Sequence, residues 1–215
     1  MPTKEFQQFL KHRLQEPLPG RAAQEKMAPQ PKNGTNPHRN YEPANDDFRD
    51  NSVLVPVVGW KEQLEVLFTL RTASINHGGQ LSFPGGGKEG HETVEETALR
   101  EAQEEIGLRP ENVTIVGELT PLYVGHSDNM VTPVVAILHH EQRFTPNPNE
   151  VDEILSVPLA DFHSGDRLIT EEWKLRDIPY RVPFWDIHRV PLWGATAMMM
   201  SEFVEITRDF FVTRD

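Results

Sequence analysis

The chain has 215 residues, of which 37% are hydrophobic and 25% charged, and this composition predicts one folded domain with additional segments. It contains no cysteine, which excludes disulfides, thiolate zinc sites and cysteine nucleophiles and leaves oxygen or imidazole ligands for any metal. The formal net charge of −12 argues against nucleic acid as a partner, because nucleic-acid binding depends mainly on Lys and Arg contacts to phosphates.

Apolar residues do not form a run of about 18, the length of a membrane-spanning helix. The first residues, MPTKEFQQFLKHRLQ, also lack the continuous apolar run of a signal peptide. We therefore expect a cytoplasmic protein that makes no membrane contact.

The N-terminal residues predict a short helix followed by an arm. Phe6, Phe9, Leu10 and Leu14 recur at helical spacing. Residues 17–50 are rich in Pro, Asn, Gln, Arg and Asp and predict an extended arm packed on the outside of a domain. We accordingly expect two parts: a helix and arm over residues 1–50, and a domain over residues 51–215.

The domain begins with two β-branched runs, VLVPVVGW and LEVLFTLRT, which predict two strands. A glycine-rich loop at Gly85–Gly87 precedes a helix over residues 93–106, with a capping box from Thr93 and Glu96. Further strands are predicted at residues 113–116, 131–138, 154–157 and 180–182, before a final helix after Gly194. The alternation of elements predicts an α/β sandwich with a mixed sheet.

Acidic residues of the first long helix form the strongest chemical pattern. Glu101, Glu104 and Glu105 stand at i, i+3 and i+4, so their carboxylates project from one side, opposite an apolar face. Such like charges repel, and a divalent cation would reverse that interaction. Oxygen ligands favour Mg²⁺, which commonly joins one or two carboxylates to substrate phosphates, and the Gly86 carbonyl is a further candidate ligand. The alternative, a solvated acidic helix face, is the common explanation of charge runs.

Spacing decides between these interpretations. Gly86 is followed after five residues by Glu92, and after seven more by Arg100-Glu101-Ala102-Gln103-Glu104-Glu105-Ile106-Gly107-Leu108. Seven specified residues coincide by chance at roughly one start in 10⁸. The pattern matches the signature of Nudix hydrolases at every fixed position.

This resemblance implies an α/β/α sandwich and metal-dependent hydrolysis of a nucleoside diphosphate linked to another moiety. Glu101 and Glu105 match the usual metal ligands of the family, and Glu104 matches a further ligand in some members. Glu92 and Arg100 match residues that brace the signature loop. The metal is expected to be Mg²⁺ or Mn²⁺, and the general base is expected on the helix or on a later loop, where Glu150 and Glu153 are candidates.

A segment directly upstream of this signature resembles the motif of coenzyme A diphosphatases. It reads Leu67-Phe68-Thr69-Leu70-Arg71-Thr72 and then His77-Gly78-Gly79-Gln80-Leu81-Ser82-Phe83-Pro84-Gly85-Gly86. It differs from that motif in being one residue shorter between Arg71 and Gly79 and in having Ile75-Asn76 where a basic residue is usual. The candidate substrate-binding residues are Arg71, His77, Gly79, Gln80, Phe83, Pro84 and Gly85. Arg71 or His77 is expected to contact the 3′-phosphate of coenzyme A.

The leading hypothesis is hydrolysis of coenzyme A or acyl-coenzyme A to 3′,5′-ADP and 4′-phosphopantetheine, in a protein that can form a homodimer. Two alternatives stay open. One is another nucleotide substrate, such as ADP-ribose or a dinucleotide, because the signature does not specify the far half of the substrate. The other is a non-catalytic domain that only binds a nucleotide, although such a domain would be expected to lack signature carboxylates.

Overall fold

The computed structural model describes residues 2–32, 42–45, 47–60, 63–73 and 78–212. His77 and the Ile75-Asn76 pair lie outside these ranges. The helices are α1 Pro2–Arg13, α2 Arg21–Gln24, α3 Val94–Ile106, α4 Leu159–His163 and α5 Gly194–Val212. The strands are β1 Gln30–Pro31, β2 Arg49–Val58, β3 Glu65–Arg71, β4 Leu81–Ser82, β5 Gly85–Gly87, β6 Val113–Glu118, β7 Leu122–Val124, β8 Asn129–Leu138, β9 Val151–Pro158, β10 Leu168–Leu175 and β11 Ile178–Trp185.

A mixed sheet of eight strands forms the centre of the part of the chain that the structure describes. Its main path is β4-β3-β2-β8-β6, while β5, β7 and β9 pair with β2, β8 and β3. Strands β2 and β8 run parallel to each other over ten residue pairs, and the remaining pairs are antiparallel. The second halves of these two parallel strands, residues 53–58 and 133–138, are covered on both faces and are continuously apolar, which explains why the sequence revealed them.

Helices cover both faces of this sheet. Alternate residues of β2 point to opposite sides: Leu54 and Val58 pack with α3, whereas Val55 and Val57 pack with α1, α4 and α5. We call these two clusters the α3 core and the α5 core. The predicted α/β/α sandwich with a mixed sheet is therefore confirmed.

The N-terminal segment differs from the predicted extended arm. The predicted helix is present as α1, and its Phe6 is fully buried with its ring 4.8 Å from that of Phe210 in α5. The following residues form α2, a 3₁₀ helix at Glu25–Met27 and strand β1, and both Ala23 and Met27 are buried. The described part of this segment thus contributes to the α5 core. The division of the chain at residue 50 stays a prediction.

Two further local predictions were incomplete. The glycine-rich segment Gly85–Gly87 is not a loop but strand β5, which pairs with β2. Strand β10 was not predicted; it forms a hairpin with β11, and both turn residues, Arg176 and Asp177, have positive φ as a type I′ turn requires. Within the described ranges, no helix is long and apolar enough to cross a membrane.

Candidate active site

Helix α3 is fixed at both ends and along one face. Thr93 accepts a hydrogen bond from the Glu96 amide at 3.2 Å, and the Glu96 carboxylate accepts one from the Thr93 amide at 2.8 Å. This is the predicted capping box. At the other end Gly107 adopts the left-handed conformation with φ 66°. Ala98 and Ile106 are buried against the sheet, but Glu105 is buried on the same side of the helix, so the prediction that the acidic residues lie opposite the apolar face is wrong for Glu105.

Arg100 ties the start of this helix to the preceding segment. Its Nε and Nη2 donate to the two carboxylate oxygens of Glu92 at 2.7 and 3.2 Å, and Nη2 also donates to the Gly87 carbonyl at 2.8 Å. The hydrogen bond from Arg100 is the main reason why the pKa of Glu92 is lowered to about 2. Arg100 therefore joins Glu92 and the Gly87 carbonyl to helix α3, while the role that the resemblance implied for these two residues stays a prediction.

Glu101 and Glu104 both accept hydrogen bonds from Arg100, but their surroundings differ. Nη1 of Arg100 lies 2.9 Å from Glu101 Oε1 and 3.3 Å from Glu104 Oε2. The side chain of Glu101 is 14% exposed and that of Glu104 is 54% exposed. Burial raises the pKa of Glu101 above its ordinary value, although Arg100 opposes this shift. Glu104 thus lies at the outer edge of the acidic cluster.

Glu105 is the most deeply placed acid of the helix, with only 2% of its surface exposed. Its Oε1 lies 3.6 Å from Arg71 Nη1, while its buried Oε2 accepts no hydrogen bond from any residue that the structure describes. Burial raises the pKa of Glu105 to about 7, and the neighbouring Glu101 and Glu150 carboxylates add to this shift, whereas Arg71 and a hydrogen bond from the Gly85 backbone oppose it. A buried, incompletely paired carboxylate of this kind is costly unless a cation joins it.

Gly86 brings backbone to the same place. A Cβ atom at this position would lie 2.5 Å from the Glu101 Cδ, so a side chain here would displace the Glu101 carboxylate. The donor set of Glu101, Glu105 and the Gly86 backbone consists of oxygen atoms and fits a hard cation such as Mg²⁺ or Mn²⁺. Among the described residues, no three acidic or histidine side chains form a complete metal cluster, so substrate phosphates or water would have to supply the other ligands.

The upstream motif residues divide between the site and the core. Arg71 ends β3 beside Glu105. Its carbonyl accepts a hydrogen bond from the Gly79 amide at 2.9 Å, and its amide donates one to the Gln80 carbonyl at 3.0 Å. Phe83, in contrast, is 1% exposed and stacks on Phe68 in the α5 core, away from Glu105.

Pro84 and Gly85 also serve the strand pairing next to β2. Pro84 is buried and its carbonyl accepts from the Leu54 amide at 2.8 Å. A Cβ on Gly85 would lie 2.4 Å from the Ser52 carbonyl oxygen, so the glycine is required by close backbone packing. Phe83, Pro84 and Gly85 therefore position strand β5 beside β2. Contact of these three residues with substrate stays a prediction.

The two candidate general bases lie on opposite faces of the sheet. Glu150 is near enough to Glu101 and Glu105 to raise the pKa of each carboxyl. Glu153 shares the strand face of Leu155, and it pairs with Arg189 at 2.6 Å, which lowers its pKa. Only Glu150 is brought close to the acidic cluster.

Sequence reasoning did not single out Asn147. Its amide N–H donates to the Glu105 carbonyl at 2.8 Å, and its side chain donates to Glu150 Oε1 at 3.1 Å. Asn147 thereby connects the end of α3 with the candidate base. The turn-forming sequence Asn147-Pro148-Asn149 was the available signal, because such residues commonly order loops through side-chain hydrogen bonds.

Comparison with known proteins identifies the family of the chain. The family model of the NUDIX domain matches residues 49–178. The chain is 36% identical to the Nudix hydrolase NudL of Pectobacterium atrosepticum over 156 residues, which cover 72% of this chain and 80% of that protein. It is 44% identical to the peroxisomal coenzyme A diphosphatase NUDT7 of Mus musculus over 113 residues, which cover 52% of this chain and 48% of the mouse protein.

A solved structure shows the same fold at lower identity. The NUDIX domain of Shewanella oneidensis NrtR, determined in complex with ADP ribose, superposes with a TM-score of 0.51 and 18% identity, covering 80% of this chain and 94% of that domain. At this identity the likeness concerns the fold alone.

Proposed function

The chain belongs to the Nudix family of diphosphohydrolases, and on that premise we propose that its substrate is coenzyme A or acyl-coenzyme A. Cleavage of the diphosphate would give 3′,5′-ADP and 4′-phosphopantetheine. The observation that carries the proposal is the position of Arg71, the motif arginine, directly beside Glu105 of the acidic cluster. The similarity to the mouse coenzyme A diphosphatase supports it, although that protein matches over only about half its length.

Glu101 and Glu105, with the Gly86 carbonyl and with Glu104 at the outer edge, would hold Mg²⁺ or Mn²⁺. When bound, such a cation neutralises the diphosphate and activates water. Arg100 and Glu92 hold the glycine segment against α3, which keeps Gly86 near Glu101. The low dielectric around buried Glu105 strengthens every charge interaction made there.

Glu150 is the proposed general base. Water attacks one phosphorus of the diphosphate, the bond from that phosphorus to the bridging oxygen breaks, and Glu150 accepts the proton from the water. Its hydrogen bond from Asn147 orients the carboxylate near Glu101 and Glu105. The test compares Glu150→Gln with Glu153→Gln: the first should lower kcat at least about 100-fold, the range for general acid–base catalysis, and the second less than about twofold. The reverse order would overturn the assignment.

A substrate panel tests the proposal as a whole. The purified chain is assayed with Mg²⁺ and with Mn²⁺ on coenzyme A, dephospho-coenzyme A, ADP-ribose and a dinucleotide, and the products are identified by mass. We expect the highest kcat/KM for coenzyme A or its thioesters. A higher kcat/KM for ADP-ribose would transfer the assignment to that substrate, and no turnover of any of the four would overturn the proposed substrate class.

Arg71→Ala tests how the 3′-phosphate is recognised. Loss of a charged hydrogen bond should raise the transition-state free energy for coenzyme A by about 1.5–3 kcal/mol. The kcat/KM for coenzyme A should fall accordingly. Dephospho-coenzyme A, which lacks that phosphate, should lose less, and the part of the loss common to both substrates would come from the contact with Glu105. Equal losses would show that Arg71 serves only the diphosphate or Glu105. The cytoplasmic location and the homodimer remain predictions.

A further inference from the structure

A cavity of about 460 Å³ lies on the α3 side of the sheet, within the size range of small-molecule sites. Its apolar walls include Trp60 after β2, Leu67 of β3 and Phe144 of the loop that precedes β9. Its polar groups belong to Glu141, Gln142 and Ser156. None of these residues is part of the acidic cluster or of the upstream motif's contacts with it.

The cavity and the acidic cluster share one face of the sheet. Leu67 and Arg71 lie on the same side of β3, four residues and therefore about 13 Å apart along the strand. The loop that lines the cavity is fixed to the end of α3, because the Thr145 amide donates to the Ile106 carbonyl at 2.9 Å and the Asn147 amide to the Glu105 carbonyl at 2.8 Å. A substrate with its diphosphate at Glu105 can therefore extend one arm into the cavity.

Gln142 offers this arm an unused donor. The residue is 9% exposed, and its Oε1 accepts from the Arg109 amide at 3.1 Å, which orients the side-chain amide. Its Nε2 is buried and has no hydrogen-bond partner among the described residues. Because a buried donor without a partner is costly, the site calls for an acceptor such as an amide carbonyl.

The remaining lining residues restrict which half of the substrate fits. None of the described lining residues is Lys or Arg, and Glu141 adds negative charge, so a nucleoside that bears a phosphate would be repelled. The rings of Trp60 and Phe144 have centroids 6.2 Å apart and are tilted by 32°, so they contact each other and leave no slot for a base between them.

We propose that this cavity binds the neutral, amide-bearing pantetheine arm of the substrate, with Gln142 Nε2 donating to a pantetheine carbonyl and Phe144 packing on the aliphatic chain. The inference rests on the proposed function, because it assigns one half of the coenzyme A molecule to one side of the site. It follows that the 3′-phosphoadenosine half extends on the Arg71 side of the diphosphate.

Direct binding of the two reaction products tests the assignment without depending on turnover. Calorimetry in Mg²⁺ measures the Kd of 4′-phosphopantetheine and of 3′,5′-ADP for the wild type, Gln142→Glu and Phe144→Ala. Gln142→Glu keeps the acceptor for the Arg109 amide but removes the donor. Phe211→Ala, which removes a ring from the α5 core, is the matched control for loss of packing.

Both cavity variants should raise the Kd of 4′-phosphopantetheine roughly three- to tenfold, through loss of one hydrogen bond in Gln142→Glu and of apolar packing in Phe144→Ala, and change that of 3′,5′-ADP less than about twofold. Phe211→Ala should change neither. Weaker binding of 3′,5′-ADP alone would place the nucleoside in the cavity, and equal or absent effects on both products would also overturn the proposal. Failure of the proposed function is a separate result, since it would be seen as absent coenzyme A turnover by the wild type.

Discussion

Two buried glutamates on opposite sides of the sheet differ in the hydrogen bonds that their carboxylates accept. Glu202 of α5 is 0% exposed and joins the N-terminal segment to the α5 core. Its Oε1 accepts from the Gly20 amide at 3.0 Å and from the Thr120 hydroxyl at 2.6 Å, and its Oε2 accepts from Gln24 at 2.9 Å. Glu105 of α3 is 2% exposed, yet its Oε2 has no partner among the described residues.

The difference separates a structural from a functional acid. A buried carboxylate that accepts several hydrogen bonds stabilises the fold, because the bonds offset the cost of removing the charge from water. A buried carboxylate oxygen without a hydrogen bond, such as Oε2 of Glu105, destabilises the fold and keeps its lone pairs available for a cation. The comparison therefore predicts opposite consequences for the same substitution at the two positions.

The largest effect is expected for Glu105→Gln. The variant keeps the side chain's shape but removes a charge proposed to hold the metal, so kcat should fall by at least about 100-fold. Its free energy of unfolding should be unchanged or higher, since a poorly compensated buried charge is lost. Steady-state kinetics and urea unfolding measure the two quantities, and full activity with Mg²⁺ would refute the metal-site assignment.

Glu202→Gln should show the opposite behaviour. Both carboxylate oxygens of Glu202 accept hydrogen bonds, but the side-chain amide of the variant has an NH₂ group in place of one oxygen. That group would face a donor, either Gln24 or the pair of Gly20 and Thr120. The free energy of unfolding should therefore fall by about 2 kcal/mol. Turnover of the folded protein should stay within about twofold of the wild type. Glu205→Gln is the matched control on the same helix: its pair with Lys26 is exposed, and less than about 1 kcal/mol is expected. Equal losses of stability at the two positions would contradict the comparison.

Local patterns predicted most elements that carry the site. The capping box and the apolar face fixed the limits of α3, and continuous apolar runs revealed β2 and β8. Strand β10 was missed because it is largely exposed and reads LITEEWKL, without the apolar alternation of a half-buried strand. Its order comes from pairing with β11, which a local pattern does not show.

The site was predicted less completely, because a sequence motif does not distinguish residues that line the site from residues that are buried in the core behind it. Phe83 belongs to the upstream motif, yet it is buried in the α5 core. The choice between Glu150 and Glu153 depends on strand parity, and the predicted strand began only at residue 154 whereas β9 begins at Val151. The hydrogen-bond partners of Glu202 are 82 to 182 residues away in sequence. The sequence alone therefore did not predict that this buried carboxylate is fully hydrogen-bonded.

Divalent cations should act on only one of the two carboxylates. A cation that binds the folded state adds about 1.4–2.7 kcal/mol of stability at 10–100 times its Kd, which raises the melting temperature by a few degrees. We expect this increase with Mg²⁺ for the wild type and equally for Glu202→Gln, but a much smaller one for the Glu101→Gln, Glu105→Gln double variant. An equal increase in all three proteins would place the cation elsewhere.

The smallest predicted effect concerns a titratable group in the same layer as Glu202. His163 of α4 lies 3.1 Å from the Thr207 hydroxyl and stacks on Phe211 at 4.3 Å. Burial, with a contribution from Arg208, lowers the pKa of His163 to about 4. The neutral imidazole is therefore favoured in the fold, whereas the unfolded chain takes up a proton near pH 6.5.

Stability should consequently be complete above pH 6.5 and decline as the pH falls from 6.5 towards 4, because only the unfolded state gains the proton in that window. We expect a loss on the order of 1 kcal/mol by pH 5, allowing for partial exposure. His163→Gln keeps a polar group near Thr207 but cannot be protonated, so its stability should depend less on pH. Urea unfolding at pH 7.5, 6 and 5 gives the free energy of unfolding of the wild type and of the variant. Both proteins retain His139 and Glu105, so the titration of these groups cancels in the difference between the two free energies. Parallel curves for the two proteins would show that His163 is protonated equally in the folded and unfolded states, which would contradict the prediction.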